Sequence, residues 1–284
     1  MDLGKMNRGA DKAPQILRKC GLLSAINGLS KGIKDLGDLP IEISDKLNLN
    51  GNLEFHIHDI IPDFEKISEL LSSTITNNYF PLILGGDHSI SIGTISGISK
   101  HYENLGVIWY DAHADLNTPE TTITGSIYGM PLAVNLGYGY PDIIKIGGYM
   151  PKVKKENVVF IGTRELDEGE ERFIIDNSLK VFTIEDVREL GIEKVINDAL
   201  KYLKERCDGI HLSFDLDSLD PQEAPGVRTP CENGLSHEES IKALSILRDS
   251  KLITSAEFVE LNPFVDVDNK TTKITIDLIK TLLN

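Results

Sequence analysis

The chain is short of several things that would narrow its class at once. It has only 3 cysteines in 284 residues, Cys20, Cys207 and Cys231, far apart and with no CxxC pair. This fits reduced thiols in a cytoplasmic protein better than a disulfide framework. No apolar run approaches the length that crosses a bilayer, and the N-terminus has no signal-peptide core, so no membrane partner is expected. Pro/Gly/Ser tracts, low-complexity stretches, charge blocks and internal repeats are all absent, which leaves no candidate linker; one α/β domain over 1–284 is expected. Basic residues are also scarce, 29 against 44 acidic, for a net charge of −15. Binding to a nucleic-acid backbone needs basic clusters, so no nucleic-acid partner is expected, whereas a cationic substrate is compatible with this charge.

What is present is concentrated in three places. The apolar run 105–110 reads as a buried strand, and Asp111, His113 and Asp115 follow it at two-residue spacing. In extended backbone, side chains at i, i+2 and i+4 point to one side, so these three can converge just past a strand end. The run 80–84 leads into Gly85-Gly86-Asp87-His88-Ser89, and the run 210–214 into Asp215-Leu216-Asp217. Asp87 aside, they offer four aspartates and two histidines, an O/N set suited to a hard or borderline divalent pair.

The remaining elements alternate. Strands are expected at 53–57, 157–162, 179–182 and 253–259. Helices are expected at 14–23, 63–76, 89–99, following the acidic stretch 164–170, at 192–207, after Ser236 and from about Lys270 to the end. Ser236-His237-Glu238-Glu239 has the form of a capping box. Such alternation implies a three-layer α/β/α fold with a mostly parallel central sheet, whose ligands sit beyond the carboxyl ends of the strands. Plainer readings stand beside the chemical ones. An Asp pair after a strand is often a cap or turn, Asp167 and Glu170 suit a first helical turn, and Glu260 suits a strand end. His56 and His58 read as polar positions of a strand or its exit. His101 and His237 read as residues of a helix end and a helix first turn. Asp87 and Asp220 read as loop-organising residues.

With Ser213-Phe214-Asp215-Leu216-Asp217-Ser218-Leu219-Asp220-Pro221 added, the three motifs in order resemble those of the ureohydrolases, the family of arginase and agmatinase. The resemblance covers nearly the whole chain. Asn117-Thr118-Pro119 through Gly129-Met130-Pro131, Leu166-Asp167-Glu168-Gly169-Glu170, Ala224-Pro225-Gly226-Val227 with Thr229-Pro230, and Val259-Glu260-Leu261-Asn262-Pro263 look like the bacterial arginase form.

The resemblance implies two Mn²⁺ per chain. One ion would take His88, Asp111, Asp115 and Asp215, the other Asp111, His113, Asp215 and Asp217. A water bridging them, deprotonated, would attack the guanidinium carbon of L-arginine to give L-ornithine and urea. Asp115 would hydrogen-bond that hydroxide, and Glu260 would hold the guanidinium. Asp167 and Glu170 would read the α-amino group, and Asn117, Thr124 and neighbouring Ser126 the α-carboxylate. Thr229 adjoins this set. The resemblance further implies a homotrimer or homohexamer. The alternatives are another guanidino substrate, such as agmatine or a guanidino acid, and a non-catalytic manganese-binding paralogue.

Four departures bear on these expectations. Tyr128 stands where the family has a proton-shuttling histidine, Ser126 replaces an asparagine, and Arg228 replaces a glycine. The family's first strand would also lie upstream of Met1. A phenol, with an unperturbed pKa near ~10, is a poor shuttle beside imidazole.

Overall fold

Apolar runs bounded by Gly-, Asp- and Asn-containing turns pair into one sheet. The computed structural model describes residues 1–3, 8–28, 32–41 and 57–284, with the backbone alone at 57 and 58. Among them the strands are β1 (Leu82–Leu84), β2 (Leu105–Tyr110), β3 (Val158–Thr163), β4 (Lys180–Thr183), β5 (Gly209–Asp215) and β6 (Ile253–Val259). They lie in the order β1-β6-β5-β2-β3-β4, and every pairing is parallel. Parallel neighbours require crossovers. The helices are α1 (Ala13–Lys19), α2 (Leu22–Ile26), α3 (Ile57–Thr76), α4 (Ser91–Ile98), α5 (Pro131–Asn135), α6 (Glu168–Asp176), α7 (Ile184–Leu190), α8 (Ile192–Lys204), α9 (His237–Ser250) and α10 (Lys270–Leu283).

The central strands are buried on both faces. Along β2, Ile108 and Tyr110 join a core with residues of α1, α2 and α7 to α10. Val107 and Trp109 join a second core with α3 and α4. This two-sided burial explains the continuous apolar runs. β5 is different: Ile210, Leu212 and Phe214 enter the first core, while His211 and Ser213, equally buried, face the other way.

Most expected elements are present within a few residues; α3 starts earlier than expected, α7 is additional, and one expected strand falls mostly outside the described residues. Helix α3 begins before 63 and carries Pro62 inside it, a residue that normally marks a helix start or break. Most of the strand expected at 53–57 lies outside the described residues, as do the side chains of His56 and His58, and Ile57 opens α3. Helix α7 was not among the expected elements. It is set by a capping box between Thr183 and Asp186, where an aspartate replaces the usual Glu or Gln. The described sheet has β1 at one edge. There Met1 O accepts the Asp87 amide at 3.2 Å, and the Leu3 amide donates to the Asp87 carboxylate.

Candidate metal centre and active site

Parallel strands bring the polar turns after β1, β2, β5 and β6 to one edge of the sheet. After β2 and β5 the same local device recurs. Asp111 Oδ1 accepts the His113 amide at 2.7 Å, and Asp215 Oδ1 accepts the Asp217 amide at 2.7 Å. Each is an Asx turn, which spends one carboxylate oxygen on the backbone and leaves the other for the space beyond the strand. Asp115 and Glu260 hold left-handed backbone, at φ 52° and 65°. For residues with a Cβ this conformation is sparsely populated, and it concentrates at functional sites.

The side chains converge. Nδ1 of His88 is 3.0 Å from Asp111 Oδ2, 3.0 Å from Asp215 Oδ2 and 3.2 Å from Asp115 Oδ2. Nδ1 of His113 is 3.1 Å from Asp217 Oδ2 and 3.4 Å from Asp111 Oδ1. Two candidate cation groups result, His88–Asp111–Asp215 and Asp111–His113–Asp217, sharing Asp111. His88 is further fixed by parallel stacking on Trp109, with ring centroids 4.1 Å apart.

Charge is frustrated in this cluster. Burial, then the neighbouring carboxylates, push Asp115 and Asp215 well above the usual carboxyl range. Burial opposes protonation of His88 and His113, yet the surrounding carboxylates raise both well above 6.5. Burial also opposes ionisation of Asp111, but His113 and His88 hold its carboxyl low. The cluster thus keeps protons to offset converging negative charge, a task a divalent cation performs better. His88 Nδ1, Asp111 Oδ2 and Asp217 Oδ1 are buried without a hydrogen-bond partner. These unengaged donor atoms, in a mixed carboxylate–imidazole set, fit manganese-class ions.

Around the cluster, Glu260 is buried. Its Oε1 accepts the His88 amide at 2.8 Å, while Oε2 has no hydrogen-bond partner. Burial and nearby Asp87 push this carboxyl up to about 8, against the opposing effect of Arg228. Thr229 Oγ1 donates to Asp217 Oδ2 at 2.9 Å. Asn117 Nδ2 donates to Asp167 Oδ2 at 2.8 Å, joining the loop after β2 to the start of α6. Both oxygens of Glu170 are engaged by backbone, accepting the amides of Leu116 at 3.0 Å and Asp167 at 2.9 Å. Glu170 therefore secures this loop against α6. Thr124 is exposed and accepts the amide of buried Ser126 at 3.2 Å. Half-buried Tyr128 lies beneath the Arg228 guanidinium.

Arg228 is 5% exposed, with ion pairs to Asp2 and, at 3.6 Å, to Asp87. Asp87 also accepts from Ser89 Oγ, and Asp220 accepts the amides of Gln222 and Gly234. Both thus organise loops. His101 meets Ser72 Oγ through Nε2 at 2.8 Å.

One layer behind the cluster is a group that motif reading does not reach. Glu257, 0% exposed on β6, accepts from Ser91 and Thr94 of α4 at 2.6 Å each, and from Ser213 at 2.7 Å. Nε2 of His211 lies 3.3 Å away. Burial opposes ionisation, but His211, then His88 and the Ser91 hydroxyl, hold the carboxyl at about 2. The available signal was a glutamate inside an otherwise buried parallel strand.

The site is one built for divalent cations at the carboxyl edge of an α/β sheet. The chain matches the arginase family over residues 1–284. It is 48% identical over 283 residues to the arginase of Bacillus caldovelox, spanning 99% of this chain and 95% of that protein. To the arginase of Bacillus subtilis (strain 168) it is 48% identical over 283 residues, 100% and 95% of the two chains. The native structure of the B. caldovelox enzyme at pH 5.6 aligns with a TM-score of 0.95 at 47% identity, covering 100% of this chain and 95% of that one. This chain belongs to the arginase family.

Proposed function

We propose that this chain hydrolyses the guanidinium C–N bond of L-arginine, giving L-ornithine and urea, and that the reaction depends on manganese. The observation that carries the reading is the pair of cation groups joined at Asp111, with the half-engaged Glu260 carboxylate bonded to the same His88. His88, Asp111, Asp115 and Asp215 would hold one ion and Asp111, His113, Asp215 and Asp217 the other, with Asp111 and Asp215 belonging to both sets. Two manganese ions held there supply Lewis acidity, which brings the pKa of a water from about 15.7 toward neutrality.

The chain's own residues do the rest. Glu260 Oε2 accepts from the substrate guanidinium and fixes its plane over the cluster. Asp115, with its buried carboxyl, holds the proton lost by the attacking water. That proton is needed by the departing ornithine nitrogen when the C–N bond breaks. Asp167 and Asn117 form one linked polar edge, which with Thr124, Ser126 and Thr229 reads the α-amino and α-carboxylate groups. Glu170 acts by holding Asn117 and Asp167 in place. Tyr128, beneath the Arg228 guanidinium, shapes the rim.

The proposal extends to a single domain over 1–284, assembly as a homotrimer or homohexamer, and a cytoplasmic location. Its support is the full-length family match, three free cysteines, and the lack, among the described residues, of any helix long and apolar enough to cross a membrane. The discriminating experiment compares L-arginine with agmatine, which has the same guanidinium and no carboxylate. Sites that hydrogen-bond a substrate group reject analogues lacking it by up to ~10⁴-fold or more. A preference for L-arginine of at least roughly 10²-fold in kcat/KM is expected. Equal rates would assign the chain to a different guanidino substrate.

A further inference from the structure

We propose that Glu257 is a positioning residue that acts through Ser213 to fix which nitrogen of His88 faces the metal cluster. The inference rests on the metal reading above. The parallel register pairs Ser213 with Glu257 and His211 with Ser255 across β5 and β6. Because side chains alternate in a strand, His211, Ser213 and Asp215 share one face of β5, and Ser255 and Glu257 share that face of β6. On the opposite face, Leu212, Phe214, Ala256 and Phe258 are ordinary core. The polar face is therefore a confined feature, aimed at α4 and the base of the cluster.

A charged residue with no exposure is not placed there for stability, since a well-packed apolar side chain serves a core at least as well. The direction of the hydrogen bonds gives it a use. A carboxylate only accepts. With three hydroxyls converging on Glu257, from Ser91, Thr94 and Ser213, the Ser213 proton points at Oε1 of Glu257. The Ser213 oxygen is then left to accept from Nε2 of His88, 2.8 Å away. Nε2 must carry the hydrogen, so Nδ1, which faces Asp111, Asp115 and Asp215, is the nitrogen that gives up its proton and offers its lone pair when a metal binds. That is the tautomer a ligand at Nδ1 requires, and outer hydrogen bonds of this kind commonly set it. The ring plane is fixed at the same time by Trp109.

The test is manganese affinity of the metal-stripped full chain, followed by the free-Mn²⁺ electron paramagnetic resonance signal, with thermal melting in parallel. Ser213→Ala cuts the link and leaves Glu257 with Ser91, Thr94 and His211. Glu257→Gln offers an amide that can donate to Ser213, which reverses the hydrogen-bond direction. Both are expected to weaken manganese binding by about 10- to 100-fold, with Ser213→Ala still folding cooperatively. Ser213→Thr keeps the hydroxyl and should keep wild-type affinity even where an added methyl lowers the melting temperature. A purely structural role predicts the opposite split, with melting changed and affinity untouched; that result in Ser213→Ala and Glu257→Gln would overturn the inference while leaving the metal reading intact. Should Glu257→Gln fail to fold, Ser213→Ala against Ser213→Thr decides. A wild-type chain that takes up no manganese would overturn both.

Discussion

The guanidinium of Arg228 lies over the ring of Tyr128, 5.1 Å from its centroid. These are two of the positions where the sequence departs from the pattern of the family it resembles, and they meet in space. The contact is a cation–π pair, completed by ion pairs from Arg228 to Asp2 and Asp87. Asp87 belongs to the turn that presents His88, and Arg228 precedes Thr229, which donates to Asp217. The two departures thus form a single wall element beside the proposed centre.

If Tyr128 is a wall, its hydroxyl is dispensable. Tyr128→Phe retains the ring under Arg228 and removes the proton. Its turnover on L-arginine is expected to stay within about tenfold of wild type, because a general acid–base group contributes roughly 10²–10⁴-fold. Steady-state kcat measures this, and a loss of roughly 10²-fold or more would assign the phenol a proton-transfer role.

Arg228 neutralises two carboxylates that are 1% and 0% exposed, Asp2 and Asp87. Removing one partner of a buried ion pair typically costs about 3–5 kcal/mol. Both acids retain other hydrogen bonds, to Gly9 N and to Ser89 Oγ, so Arg228→Met is expected near the lower figure, about 3 kcal/mol. Urea unfolding of the metal-loaded protein measures it. An unchanged midpoint would mean that the pairs contribute nothing to folding.

Much of this architecture is legible in the sequence, for identifiable reasons. The run 105–110 is apolar throughout because β2 is buried on both faces, whereas the two-residue spacing of its ligands converges through an Asx turn at Asp111 and left-handed backbone at Asp115 rather than through the continued extended backbone expected. The capping box at Ser236 is local chemistry, and α9 starts where it says. What escapes is either an unusual local signal or a long-range one. Pro62 hides the true start of α3, and Asp186 hides the capping box of α7. The engagement of Glu170 with the Leu116 amide depends on how α6 docks. The Arg228–Tyr128 contact and the Glu257 network join residues far apart in the chain, which no spacing rule encodes.

The metal-free centre should show a distinctive pH dependence. Histidines 88 and 113 have folded-state pKa values raised above 6.5, so their contribution to stability is fully present below that pH. It is lost as pH rises through the folded values. Asp115 and Asp215, raised above 3.8, act in the same direction. The melting temperature of the metal-stripped protein is therefore expected to fall as pH rises above about 6.5. Manganese, which replaces these protons, should bind more tightly over the same range, with proton release on binding. Melting curves across pH, with and without manganese, check this. A metal-free melting temperature that rises with pH would contradict the picture of a proton-neutralised cluster.

The most direct test of the central claim is urea release from L-arginine by the purified chain, stripped of metal and then reloaded with manganese. The account predicts no urea from the stripped protein and multiple turnovers once manganese is restored, with ornithine formed in equal amount. Manganese bound to the protein without urea from L-arginine would contradict it, leaving a family member whose site serves another substrate or none.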